Sequence, residues 1–371
     1  MKPNATNPNA TKLNATKANA AEPSTAKPDT VELSTTKPNT TETPPHGWRA
    51  WLLAARPKTL PASLAPVLVG LSLAYASSGG ELKVIPAIVC LTFALLMQVA
   101  SNYINDLYDY LKGSDGADRL GPKRAVAEGW ITPRGMRCGI GVVLAVACLV
   151  GSTALWYGGW PLLVVGLLCM LGAYLYTGGP YPLAYSGWGD VLVLIFFGLV
   201  PVGGTYYLQT TTLTHEAILS GTLCGFVSVA LLVVNNYRDR KQDKQNEKRT
   251  LVVRFGRRFG LYFYLILGLA ACWFCMVFAV HGYVYAALLP QLYIVWHIRS
   301  WRTMLRAEGR ELNAVLAQTG LGVLLFSLLL SAGFLLSYPY SAQTVPPSRD
   351  CRLLLVCQYW EFHTINNSEE E

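Results

Sequence analysis

"VIPAIVCLTFALLMQVASNYINDLYDYL" occupies residues 84–111. From Val84 to Ile104 it holds no charged residue, and then Asn105, Asp106 and Asp109 follow within one and a half helical turns. About 20 apolar residues rising 1.5 Å each cross the hydrocarbon core of a bilayer. The stretch therefore reads as a membrane-spanning helix that continues past the lipid into polar surroundings. Asn102, Asp106 and Asp109 stand at i, i+4 and i+7, so one helix face carries an amide and two carboxylates where the helix leaves the membrane.

Similar apolar runs recur along the 371-residue chain, which is 52% hydrophobic and 14% charged, with a mean hydropathy of +0.32. Soluble domains carry about 25% charged residues. We expect an all-α membrane protein, a bundle of about nine transmembrane helices around a central cavity, with spans at 60–77, 84–104, 139–157, 161–177, 190–208, 217–235, 261–280, 283–298 and 314–337. Continuous rather than alternating apolar runs argue against a β-barrel. The net charge of +8 does not signal nucleic acid, because the bases segregate by membrane face. With a cytoplasmic N-terminus, and counting from residue 48 on, twenty-two Lys and Arg fall in inside segments, against Lys83, Arg349 and Arg352 outside. That bias sets the N-terminus in the cytoplasm and predicts an inner (cell) membrane protein whose polar loops face the cytoplasm.

Residues 1–47 are rich in Asn, Ala, Thr, Pro and Lys without apolar periodicity, and read as a disordered cytoplasmic tail. The membrane domain is expected over 48–337, with a further atypical tail at 338–371. The nine cysteines show no metal-site spacing, and His215, His281 and His297 read as structural.

The motif after span two has a partner after span six, "NNYRDRKQDKQNEKR" (235–249). Asn235, Asp239 and Asp243 stand at i, i+4 and i+8, with Asn236 beside them. Four carboxylates converging on one membrane face would repel unless a cation sat among them. Mg²⁺ takes oxygen ligands and is commonly held by one or two carboxylates plus substrate phosphates. Lys112, Arg119, Lys123, Arg124, Arg238, Lys248 and Arg249 surround the acids and suit phosphate oxygens. Acids for Mg²⁺ and bases for phosphate at lipid level imply a diphosphate on a lipidic tail, and a reaction that ionises it as an allylic diphosphate. Asp106, Asp109, Asp239 and Asp243 are thus the candidate metal and catalytic residues. Asp115 and Asp118, near Gly113 and Gly116, stay open between turn formation and support of the ligands. Asp190 reads as a helix-start residue or a further acid of the site. Of the aromatics Tyr103, Tyr174, Tyr176, Phe196 and Phe197, Tyr176 is the best candidate to line a prenyl tunnel.

The two acidic motifs, "NDLYD" (105–109) and "NNYRDRKQD" (235–243), resemble those of the UbiA superfamily of intramembrane aromatic prenyltransferases over about residues 48–337. "ARPKTLPASLAPVLVG" (55–70), "KGSDGADRLGPKRAVAEGWITP" (112–133), "YTGGPYPLAYSGWGDVLVLIFFG" (176–198) and "NNYRDRKQDKQNEKRTLVVRFG" (235–256) are similar to the branch acting on 1,4-dihydroxy-2-naphthoate in menaquinone synthesis. The resemblance implies Mg²⁺-dependent transfer of a polyprenyl group from a polyprenyl diphosphate to that naphthoate, with loss of CO₂ and pyrophosphate and no obligate protein partner. It further implies that Asn102, Asn105 and Asn236 orient the acids. Arg56, Lys58, Lys248 and Arg249 would hold diphosphate or the acceptor carboxylate. Gly113 stands where the wider superfamily often has a third Asp, which favours the naphthoate branch over the 4-hydroxybenzoate branch. The alternatives are another aromatic acceptor, such as 4-hydroxybenzoate, or a transporter of a divalent cation or phosphorylated solute.

Overall fold

A computed structural model describes residues 45–114 and 119–344. Asp115 and Asp118 lie outside the described residues, as do nearly all of the expected N-terminal tail and most of the C-terminal one. Among the described residues the regular structure is entirely helical. The principal helices are α1 (Trp48–Ala55), α2 (Leu60–Ser77), α3 (Val84–Leu111), α4 (Pro133–Thr153) and α5 (Pro161–Thr177), then α6 (Gly189–Thr210), α7 (His215–Gln245), α8 (Leu251–Cys275), α9 (Tyr293–Arg306) and α10 (Leu312–Thr344). Seven helices among the described residues are long and apolar enough to cross a membrane. The expected span at 161–177 is present as the shorter apolar helix α5. The expected span at 283–298 is broken: a turn at Val284–Leu288 passes through a 3₁₀ segment, Leu289–Leu292, before α9 begins. Pro290 lies in that segment and lacks the N–H that a continuous helix requires.

Local sequence sets the helix starts. Thr132, Thr214 and Thr250 each precede a helix and accept an N–H from three residues on, at Gly135, Ala217 and Val253 respectively. α3 and α7 are the two helices that outrun their apolar stretches, ending at Leu111 and Gln245, so each carries its acids past the lipid level.

Helix α7 is the axis of the bundle, its apolar window 67% buried against 11% for the window containing α4. It packs on α6, α8 and α10. The α6 contact is backbone to backbone: a Cβ placed on Gly198 would sit 2.4 Å from the Gly221 carbonyl oxygen and 2.5 Å from the Gly225 Cα. Lipid is as apolar as a side chain, so helices in a bilayer gain by this close approach rather than by escaping water. A π-turn over Ile195–Leu199 lies at that contact. Leu149, Trp156 and Trp273, all more than two-thirds exposed, point their apolar surface outward, as a lipid-facing shell requires.

Candidate active site

A cavity of about 1640 Å³ lies among these helices, and α3 and α7 bring their polar ends to it. Arg56, Lys58, Asn102, Asn105, Asp109, Arg119, Lys123, Arg124, Tyr176, Asp239, Asp243 and Lys248 all line it. Asp106, Lys112, Asn236 and Arg249 do not. The rest of the wall is largely apolar, with Phe93, Met97, Phe196, Phe197 and Leu324 among its residues.

The α3 acids part company. Asp109 faces the cavity and accepts from Arg124 Nη2 at 2.8 Å. Asp106 is 1% exposed, and its two oxygens accept the backbone N–H groups of Ala125 (2.9 Å) and Val126 (3.0 Å). It therefore fastens the returning loop to α3, and places Arg124 against Asp109. Asn102 does a related job on another neighbour: its Nδ2 donates to the Ala55 carbonyl at 2.8 Å and to Thr59 Oγ1 at 3.2 Å, bracing the bend between α1 and α2. Arg56 sits in that bend with a left-handed backbone (φ 54°) and lines the cavity. Asn105 accepts from the Thr177 hydroxyl, and Lys112 donates to the Thr177 carbonyl, so the end of α5 is tied to the end of α3. Burial lowers the Lys112 ammonium from its ordinary value, with Asp109 opposing the shift.

On α7, Arg238 is 5% exposed and holds three partners through four hydrogen bonds. Its Nε and Nη2 donate to the two Asp239 oxygens at 2.7 and 2.6 Å, Nη2 also reaches Asn235 Oδ1 at 2.8 Å, and Nη1 reaches Asn313 Oδ1 at 2.7 Å. Asn313 in turn donates to the Leu120 carbonyl at 2.9 Å, joining α7, α10 and the 119–132 loop. Asp243 Oδ1 lies 3.4 Å from Lys248 Nζ, while its buried Oδ2 has no hydrogen-bond partner among the described residues. Asn236 is buried in the helix packing. Arg249 is exposed and meets the site through its backbone, donating to the Tyr185 carbonyl at 2.8 Å. Lys123 is 71% exposed and pairs with Glu128 at 3.3 Å.

Sequence reasoning passed over Tyr185, Asn313 and Gln242. Gln242 Nε2 donates to the Ser114 carbonyl at 2.9 Å, a direct tie between the ends of α7 and α3. The spacing of Gln242, next to Asp243 on a polar helix end, carries no mark that separates it from a solvated side chain. Of the candidate aromatics, Tyr176, Phe196 and Phe197 line the cavity. Tyr174 is 40% exposed, and Tyr103 is buried, its hydroxyl donating to the Trp51 carbonyl. Asp190 is buried in the first turn of α6.

Among the described residues no three His, Cys, Asp or Glu side chains form a metal cluster by themselves. The donor set nevertheless fits Mg²⁺ rather than a soft metal: Asp109, Asp239 and Asp243 offer oxygen only, and Asp243 Oδ2 is a buried acceptor with no donor among the described residues. A hard cation sharing its shell between one or two carboxylates and a diphosphate needs no closed protein cage.

The helical arrangement is shared with solved structures. It matches a UbiA homolog from Archaeoglobus fulgidus bound to DMAPP and Mg²⁺, with a TM-score of 0.56 and 16% identity over 77% of this chain and 99% of that one. The family model for the UbiA prenyltransferase family matches residues 63–329, and the chain belongs to that family. Two relatives bear the name 1,4-dihydroxy-2-naphthoate octaprenyltransferase. The one from Escherichia coli is 36% identical over 304 residues (78% of this chain, 96% of the relative). The one from Mycobacterium tuberculosis is 37% identical over 286 residues (75% and 94%).

Proposed function

We propose that this UbiA-family prenyltransferase moves a polyprenyl group from a polyprenyl diphosphate onto 1,4-dihydroxy-2-naphthoate, releasing pyrophosphate and CO₂ and giving demethylmenaquinol, the quinol form of demethylmenaquinone. The observation that carries the chemistry is one cavity of about 1640 Å³ with Asp109, Asp239, Asp243, Arg119, Arg124 and Lys248 on its wall and a largely apolar remainder. The names of the bacterial relatives support the naphthoate as acceptor.

Asp109, Asp239 and Asp243 would hold Mg²⁺, which when bound offsets the charge of the diphosphate and makes it a better leaving group. Arg119, Arg124 and Lys248 face the phosphate oxygens, where fixed positive charge stabilises the pyrophosphate as the allylic C–O bond breaks and the electron pair leaves with oxygen. Arg238 keeps both Asp239 oxygens aimed. Tyr176, Phe196 and Phe197 offer ring faces to the allylic cation and exclude water from it. A ring carbon of the naphthoate forms the new C–C bond. The departing carboxyl group leaves its bonding pair to restore the aromatic ring, so the protein need supply no base for a ring proton. Arg56 and Lys58 line the cavity at the head of α2 and would hold the diphosphate or the acceptor carboxylate.

The full topology belongs to the same reading: nine spans counting α5 and the broken 284–306 segment, the N-terminus and the acid-bearing loops in the cytoplasm, tails outside 48–337, and the cell (inner) membrane as the site of action. The test is direct. Purified protein with the naphthoate, a polyprenyl diphosphate and Mg²⁺ releases CO₂ and yields a product of the prenylated naphthoquinol mass. Acceptance of 4-hydroxybenzoate in place of the naphthoate refutes the assignment, and Mg²⁺ flux in proteoliposomes without turnover supports a transporter instead.

A further inference from the structure

Besides the Gln242–Ser114 tie, one further segment touches both acidic helix ends. It is the short 3₁₀ turn Leu183–Ser186 between α5 and α6. Tyr185, on its third residue, directs its hydroxyl at Ser114 Oγ (2.8 Å) and toward Asp109 Oδ1 (3.4 Å), both at the α3 end. Lys112 Nζ, from the same end, lies 4.6 Å from the centre of its ring. On the α7 side, Lys248 Nζ lies 5.7 Å from that ring centre, and the Tyr185 carbonyl accepts the Arg249 N–H at 2.8 Å. The turn is seated on the second loop by close approach: a Cβ on Gly187 (φ +87°) would stand 3.0 Å from the Arg249 carbonyl oxygen. Arg254 Nη2 also donates to the Ser186 carbonyl at 2.8 Å.

We propose that Tyr185 is a positioning residue that fixes the Lys248 ammonium over the diphosphate, in register with Asp109. The inference rests on the prenyl diphosphate reading above. An ammonium on a four-carbon stem is a loose point charge. Asp243 holds it at 3.4 Å but also offsets its charge. An aromatic face attracts an ammonium within about 6 Å without neutralising it. The ring thus keeps Lys248 in place while leaving its charge for phosphate. The ring itself is held by Ser114, Asp109 and Lys112, so the lysine of one acidic loop is set against the other acidic helix. Tyr185 and Lys248 both line the cavity.

The experiment uses full-length protein with Mg²⁺ and geranylgeranyl thiodiphosphate, an unreactive probe, with binding measured by calorimetry. Tyr185→Leu weakens binding roughly tenfold, the size of a partly desolvated cation–ring contact. Tyr185→Phe keeps the ring and binds within about threefold of the parent. In a Lys248→Ala background, Tyr185→Leu costs nothing further, because it acts through Lys248. The KM for the naphthoate stays unchanged in the two single Tyr185 variants. Wild-type affinity in Tyr185→Leu, equal loss in Phe and Leu, or additive losses with Lys248→Ala each overturn the proposal. A parent protein that binds the thiodiphosphate yet does not prenylate the naphthoate refutes the acceptor assignment alone, and the Tyr185 comparison then still decides this proposal. Failure of the parent to bind the probe overturns both.

Discussion

Replacing Asp106 by Ala separates two roles that its sequence motif cannot. As a Mg²⁺ ligand, Asp106 would touch the diphosphate site, and its loss would raise the Mg²⁺ requirement. Its place in the structure is different: 1% exposed, off the cavity wall, with one oxygen on each of the Ala125 and Val126 amides. Alanine leaves two buried N–H groups without an acceptor. Each orphaned group costs about 1–3 kcal/mol, and bonds to a charged acceptor lie toward the upper part of that range. Allowing some relaxation of the loop, a loss of about 3 kcal/mol local to the loop is expected, or roughly two powers of ten in its opening equilibrium. Hydrogen exchange followed by mass spectrometry reads this directly. Peptides covering Arg124–Trp130 should exchange about a hundredfold faster, while peptides from the buried middle of α7 keep their rate. Turnover falls because Arg124 is no longer set against Asp109, and added Mg²⁺ does not restore it. Unchanged exchange in the loop together with recovery of turnover at high Mg²⁺ would refute the reasoning and return Asp106 to the metal shell.

Asp239→Ala should abolish turnover while the protein still inserts and binds detergent as a monodisperse species; near-normal product formation would remove it from the site. Arg238→Lys keeps the charge but cannot serve Asp239, Asn235 and Asn313 together, so kcat/KM for prenyl diphosphate should drop at least tenfold, with a two-carboxylate defect visible as a higher Mg²⁺ optimum. Asp243→Asn replaces one oxygen of the pair that includes the unpartnered Oδ2; half-saturation by Mg²⁺ should rise severalfold, and an unaltered value would exclude Asp243 as a ligand. Gly198→Ala puts a methyl group 2.4 Å from the Gly221 carbonyl oxygen, and the yield of folded protein should fall sharply without any change in the KM of the remainder.

Periodicity made the helices and the two acid-bearing ends legible, because a run of apolar residues has few physical uses other than crossing lipid. The motif spacing was less discriminating. Asp106 and Asp109 are three residues apart, so at 3.6 residues per turn they point only about 60° apart, and any sequence argument assigns them one face. What divides them is the loop returning over α3, whose amides at 125 and 126 reach Asp106 from nineteen and twenty residues away. No local pattern announces a contact at that range. The same limit hid Tyr185, 76 residues from Asp109 and held in a turn that reads as an ordinary Gly- and Pro-rich connection. The two cases share a physical cause. A helix fixes the direction of its own side chains, but the partner each one meets is chosen by the loops that fold back on the helix ends. In this chain those loops carry Lys112, Arg119, Lys123, Arg124 and Lys248, so much of the positive charge at the site is set by the part of the fold that periodicity describes least. Arg238 marks the boundary: its position beside Asp239 is plain in "NNYRDRKQD", while its reach to Asn313, 75 residues on, decides that it is a buried strut of the site rather than one more cytoplasmic base.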